Sequence, residues 1–297
     1  MIKRYNCRIC KNKTIRISSL RFLFYKCEIC NNIYRSHLNK FNIFNYLKKT
    51  PFIKLLNNYK NKKNQFEWYL NFKRKNYKDD KYFFLTKFLR KKKIKKVLDI
   101  SGAPGLTGIE IKKKFKLNYE ITEYDDKIRK HIKKITGLST YILDFDNLKK
   151  NKVPNKKYDL ILLWYSIYYC KNILQLVDFL KKRVKKNGYL VISQNVPNFA
   201  ALTKFSITES YPPYVLYDHK FLIKKFEKNE FIFFDLKFFE EKFFIKRYFF
   251  KSKSLFNLIY NIICILISVY YITTNYFKIN FANLFLKDYL LIFKKIK

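Results

Sequence analysis

Two sets of residues in this chain have the types and spacing to do chemistry. The first is a cysteine quartet: Cys7-Arg8-Ile9-Cys10, sixteen intervening residues, then Cys27-Glu28-Ile29-Cys30. A CxxC turn aims two thiolates at one point, and two such turns at this spacing build a tetrahedral four-cysteine zinc site. Four thiolates close the coordination shell against water, so the zinc expected on Cys7, Cys10, Cys27 and Cys30 is structural. The second set lies in VLDISGAPGLTG, residues 97–108. Only five glycines occur in 297 residues, and Gly102, Gly105 and Gly108 are three of them. A chain this poor in glycine keeps it where the backbone needs positive φ or must approach a neighbour closely. An apolar strand before the run and a helix after it complete an arrangement that cradles a nucleotide-like ligand.

The elements that must position these residues follow from the hydrophobic pattern. Apolar runs at 97–100, 119–124, 140–145, 158–164, 189–193 and 231–238 read as strands. The stretches 106–116, 126–137, 172–186 and 219–228 between them read as helices. This alternation predicts an α/β fold, a Rossmann-like parallel sheet covered on both faces. Ligands of such sheets bind beyond the carboxyl ends of the strands. Those ends carry Asp99 with the glycine loop, then Glu123, then Asp144-Phe145-Asp146, then Trp164. A carboxylate at the position of Glu123 can accept both hydroxyls of a ribose. The candidate proton acceptor is His219, after the fifth strand and on the side of Gln194, Asn195 and Tyr165; a plain helix-start residue is its alternative. His37 and His131 fall near the quartet and in a helix. Residues 1–40 thus read as a zinc ribbon, 41–95 as a helical connector and 96–245 as the Rossmann-like domain. Residues 246–297 read as an apolar helix and a returning final strand.

In order and spacing, VLDISGAPG, ITEYDD, ILDFDNL, YDLILLWYSIYY and KKNGYLVIS resemble the motifs of class I S-adenosylmethionine-dependent methyltransferases, over about residues 95–245. The resemblance implies that Asp99 and the loop Ser101, Gly102, Ala103 and Gly105 hold the methionine part of the cofactor. It implies that Glu123 binds the ribose, that Asp144 and the backbone of Phe145 read the adenine edge, and that Trp164 lies near the sulfonium. The chain departs from the family's DxGxGxG at Ser101 and Ala103. It also has Ile167-Tyr168-Tyr169 where Leu-Glu-His is frequent, which removes a familiar acid and base. An N-terminal zinc ribbon on this fold is similar to two groups, one methylating sugars or other small molecules, the other ribosomal RNA. The residues around Cys27 and those after the fifth strand look more like the glycan type. The implied activity is methyl transfer to a sugar, a lipid-linked saccharide or another small molecule. An rRNA methyltransferase and a non-catalytic, membrane-associated binding protein on the same scaffold are the alternatives.

Composition bounds these readings. With 48% hydrophobic and 20% aromatic residues the chain has the material for a core, despite a net charge of +42. That charge attracts anionic partners. Yet Lys outnumbers Arg 54 to 10 and only four Ala occur, the mark of AT-rich coding bias, so nucleic acid is not the favoured partner. The start MIKRYNCRIC has no apolar signal core, which predicts a cytoplasmic chain with reduced cysteines. Residues 255–277 carry no charge and are long enough to span a bilayer. Asn257, Asn261, Cys264, Ser268 and Asn275 give that helix a polar stripe, and a strand at 288–295 should return to the sheet. The expectation is a helix on an anionic membrane surface or packed on the domain, with a single transmembrane helix as the alternative.

Overall fold

The computed structural model describes residues 6–7, 9–18, 23–35, 51–65, 67–68, 71, 81–197, 214–240 and 286–296. The first strands are β1 (Thr14–Ser18), β2 (Leu23–Cys27) and β3 (Ile33–Arg35), followed by helices α1 (Pro51–Lys60) and α2 (Lys81–Lys91). Next come β4 (Lys96–Ile100), α3 (Leu106–Phe115), β5 (Asn118–Thr122), α4 (Asp126–Thr136), β6 (Ser139–Tyr141) and β7 (Tyr158–Trp164). The chain continues through α5 (Ile173–Arg183), β8 (Val184–Asn195), β9 (Val215–Leu216), α6 (His219–Glu227), β10 (Phe231–Glu240) and β11 (Leu286–Lys295).

The long apolar runs become the centre of a seven-stranded sheet of order β10-β11-β8-β7-β4-β5-β6. Residues 97–100 of β4 and 160–163 of β7 are all buried, as strands covered on both faces must be. The pairs β4–β5, β4–β7, β5–β6 and β7–β8 are parallel. Successive strands step one way from β4 through β5 to β6 and the other way through β7 to β8. The strand order therefore reverses at β4, and the carboxyl end of such a switch point is where doubly wound sheets bind ligands.

Local chemistry sets the helix ends. The Asp125 carboxylate accepts from the Ile128 amide at 2.8 Å to cap α4, and Gly137, at φ 64°, closes its other end. Asn172 caps α5 in the same way through the Gln175 amide. The fifth strand begins earlier than its apolar run predicts. The helix assigned to 172–186 ends at Arg183, and Val184 already pairs with Tyr158. Register then shifts so that Leu160 faces Tyr189, and Lys186-Asn187-Gly188 lies within an irregularity of β8 rather than in a turn before it.

The described residues fall into two compact units. One carries a smaller sheet of order β1-β2-β3-β9. Its strand β9 comes from far along the chain, with Ile33 opposite Leu216 and Tyr34 opposite Val215. The other carries the strands β4 to β7, β8 as far as Gln194 and the helices between them. The apolar helix expected at 255–277, with Cys264, and His37 lie outside the described residues. No helix among the described residues is long and apolar enough to cross a membrane.

Candidate functional site

The loop after β4 is shaped by its glycines. Gly102 passes over the Asp99 carboxylate so closely that a Cβ there would stand 2.6 Å from Asp99 Oδ2 and 2.7 Å from its Cγ. Gly105 opens α3 at φ 80°, a conformation that L side chains rarely adopt. Gly108 lies inside α3 and serves packing: a Cβ there would meet the Tyr119 ring at 2.6 Å. Ser101, in place of a family glycine, still adopts φ 55°, and its amide donates to Thr122 Oγ1 at 3.1 Å. The Gly102 amide donates to the Thr122 carbonyl at 3.1 Å, tying the loop to the end of β5. Ala103 is half-buried in the same loop.

Asp99 is 1% exposed, and its Oδ2 accepts from the Lys81 ammonium and, at 2.8 Å, from the Tyr119 hydroxyl. Its Oδ1 is equally buried and has no hydrogen-bond partner among the described residues. Glu123 follows β5. The amides of Tyr124 and Asp125 converge on its Oε1 at 2.8 and 3.3 Å, which leaves Oε2 for another donor. Burial pushes the Glu123 carboxyl up to about 6. The two amides and Arg129 oppose the rise, and the neighbouring Asp125 carboxylate adds to it. Beyond β6, Asp144 Oδ1 accepts from the Asp146 amide at 2.8 Å, holding the turn that presents the half-buried Phe145. Trp164 ends β7. The Phe84 ring lies 5.6 Å from it at 37° and the Tyr165 ring 6.2 Å away at 87°.

The strand order thus brings Asp99, the loop at 101–105, Glu123, Asp144, Phe145 and Trp164 to the carboxyl ends of four adjacent strands. His219 is the first residue of α6. His131 is half-buried on α4, its Nε2 2.9 Å from Asn57 Oδ1. Cys170, buried after β7, has its thiol pushed up to about 12 by burial, so it is no nucleophile at neutral pH. Motif reading missed Lys81 and Tyr119.

In the smaller unit the Sγ atoms of Cys7, Cys10, Cys27 and Cys30 lie within 4.8 Å of one another. Cys7–Cys30 and Cys10–Cys27 are 3.7 and 3.3 Å apart, against the ~3.8 Å between ligands of a tetrahedral ion with bonds near ~2.3 Å. The amides of Ile9 and Cys10 point at Cys7 Sγ from 3.4 and 3.3 Å, and Asn32 Nδ2 donates to Cys30 Sγ at 3.2 Å. Donors turned toward sulfur suit thiolates, so this donor set fits a four-coordinate metal.

Comparison with known proteins agrees with the fold. A family described as a methyltransferase domain matches residues 69–242, more than half of the chain. A methyltransferase candidate from Bacillus halodurans C-125 superposes with a TM-score of 0.53 at 13% identity, over 73% of this chain and 99% of that one. The YcgJ protein from Bacillus subtilis gives 0.50 at 13% identity, with the same two shares. No curated protein matches the chain. At such identities the solved structures show the fold, and the family match adds the activity. The chain belongs to the methyltransferase-domain family and is an S-adenosylmethionine-dependent methyltransferase.

Proposed function

We propose that the chain transfers the methyl group to a sugar, a lipid-linked saccharide or another small-molecule acceptor, and that its four cysteines hold a structural zinc. S-adenosylmethionine, when bound, supplies an electrophilic methyl group, so the protein's main task is alignment. Asp99 and the loop from Ser101 to Gly105 would hold its amino-acid part, and Glu123 its ribose. Asp144 and Phe145 would hold the adenine, and Trp164 would stand beside the sulfur. The observation that carries the acceptor reading is the surface at the end of β7. Trp164, Tyr165 and Phe84 are half-buried aromatic residues, and the segment 164–170 (WYSIYYC) contains no charge. Half-buried aromatic side chains at a strand end suit contact with the apolar face of a sugar ring. The segment itself brings no cation to a phosphate backbone. His219 remains the proposed base for an acceptor that must lose a proton.

The test is transfer of labelled methyl from S-adenosylmethionine into cell extract, fractionated by lipid solvent and by nuclease. Label in saccharide or lipid-soluble material supports the proposal. Label in nuclease-sensitive material overturns it in favour of an RNA acceptor, which the +42 charge would then explain.

A further inference from the structure

The two cysteine turns are built alike. The Cys7 amide donates to the Asn12 carbonyl at 2.7 Å, and the Cys27 amide to the Asn32 carbonyl at 3.0 Å. Lys11 and Asn31, at φ 63° and 54°, bend the chain at the same place in each. Asparagine thus occupies equivalent positions 12 and 32, yet the two side chains are used differently. Asn12 is exposed, and its Nδ2 donates to the Cys10 carbonyl of its own turn at 3.1 Å. Asn32 is fully buried. Its Nδ2 donates to Cys30 Sγ at 3.2 Å, and its Oδ1 accepts from the amide of Asp218 at 2.7 Å. One side chain therefore joins a cysteine sulfur to a segment 186 residues further along the chain. The strand that follows supports the same join. Ile33 and Tyr34 pair with Leu216 and Val215, and the Tyr34 hydroxyl lies 2.7 Å from Cys7 Sγ, where against a thiolate it donates.

We propose that Asn32 is a positioning residue through which the metal centre holds the segment 215–218, whose next residue is His219, the proposed base. The assignment rests on the reading of the four cysteines as metal ligands. A neutral amide suits the place because one planar group offers a donor to a thiolate and an acceptor to a backbone amide. A carboxylate would keep the acceptor and set a negative charge against the sulfur. An aliphatic side chain would take both bonds away.

Two measurements on the full chain read the two ends of this amide. Cobalt(II) in place of zinc reports on the sulfur end through its thiolate-to-metal charge-transfer band. Hydrogen exchange followed by mass spectrometry reports on the Asp218 end. In Asn32→Leu the band should move to lower energy, because loss of a donor raises the sulfur lone pairs. With metal bound, the Asp218 amide of this variant should exchange about 3- to 10-fold faster, the value of one hydrogen bond, while the amides of β1 and β2 keep wild-type rates. In Asn32→Asp the band should move and the Asp218 amide should keep most of its protection. Asn12→Ala should alter neither signal. An unmoved band, or unchanged Asp218 exchange, in metal-loaded Asn32→Leu overturns the assignment. Should Asn32→Leu fail to fold, the band of Asn32→Asp and wild type stripped of metal decide: an unmoved band, or exchange at 215–218 that metal removal leaves unchanged, overturns it. A wild-type protein that binds neither zinc nor cobalt overturns the metal reading itself.

Discussion

Glu123 gives cofactor binding a pH signature with a definite sign. Burial holds its carboxyl at about 6 against the ordinary 4.5. At pH 7 about nine in ten Glu123 side chains are then ionised and able to accept two ribose hydroxyls, and at pH 5 about one in ten. Affinity for S-adenosylhomocysteine should therefore fall about tenfold between pH 7 and pH 5. In Glu123→Gln that slope should vanish, with binding at pH 7 weaker by about 1.5–3 kcal/mol, the worth of a hydrogen bond to a charged group. The effect on folding runs the other way. The folded protein holds this proton more tightly than the unfolded chain does. The carboxyl thus costs nothing below pH 4.5 and destabilises the fold by at most about 2 kcal/mol once the pH has risen past 6. Glu123→Gln removes that cost, so at pH 7 the variant should melt no lower than wild type while binding less. Titration calorimetry at pH 5, 6 and 7, with thermal unfolding at pH 7, checks both halves. A variant that keeps the wild-type pH slope would refute the reasoning.

The other perturbations act on packing and on the cysteine centre. Gly108→Ala drives a Cβ against the Tyr119 ring, 2.6 Å away, and towards Leu138 at 3.0 Å. Overpacking of this kind costs about 1–3 kcal/mol, and an unchanged denaturant midpoint would contradict it. Purified wild-type protein should contain one zinc per chain by metal analysis, and Cys27→Ser should contain far less. Wild-type protein without metal would rule out the zinc ribbon. Tyr119→Phe deletes one of two donors to Asp99 Oδ2; S-adenosylhomocysteine binding should weaken about 3- to 10-fold, the value of one such bond, and an unaltered affinity would count against its role in holding Asp99.

The residues legible in the sequence are those whose type is rare or whose period is strong. Three of five glycines within seven residues marked the loop after β4, and continuous apolar runs gave β4 and β7 close to their observed limits. The acids at strand ends followed from alternation alone. Lys81 was invisible because it is one lysine among 54, and its partner is distant in sequence. Tyr119 was equally hidden in a chain with 25 tyrosines, although Gly108 inside a helix marked a close approach. The early start of β8 was missed because Lys185, Lys186 and Asn187 interrupt the apolar period, and a bulge absorbs them. Strand β9 joins the ribbon sheet with only two residues, too short for any period to reveal.

The structure of the protein crystallised with S-adenosylhomocysteine tests the donor site most directly. The ribose hydroxyls should lie within hydrogen-bond distance of Glu123 Oε2, the amino-acid end beside Asp99 and the loop from Ser101 to Gly105, and the sulfur beside Trp164. A ligand bound elsewhere, or one that leaves Glu123 Oε2 without a partner, would contradict it.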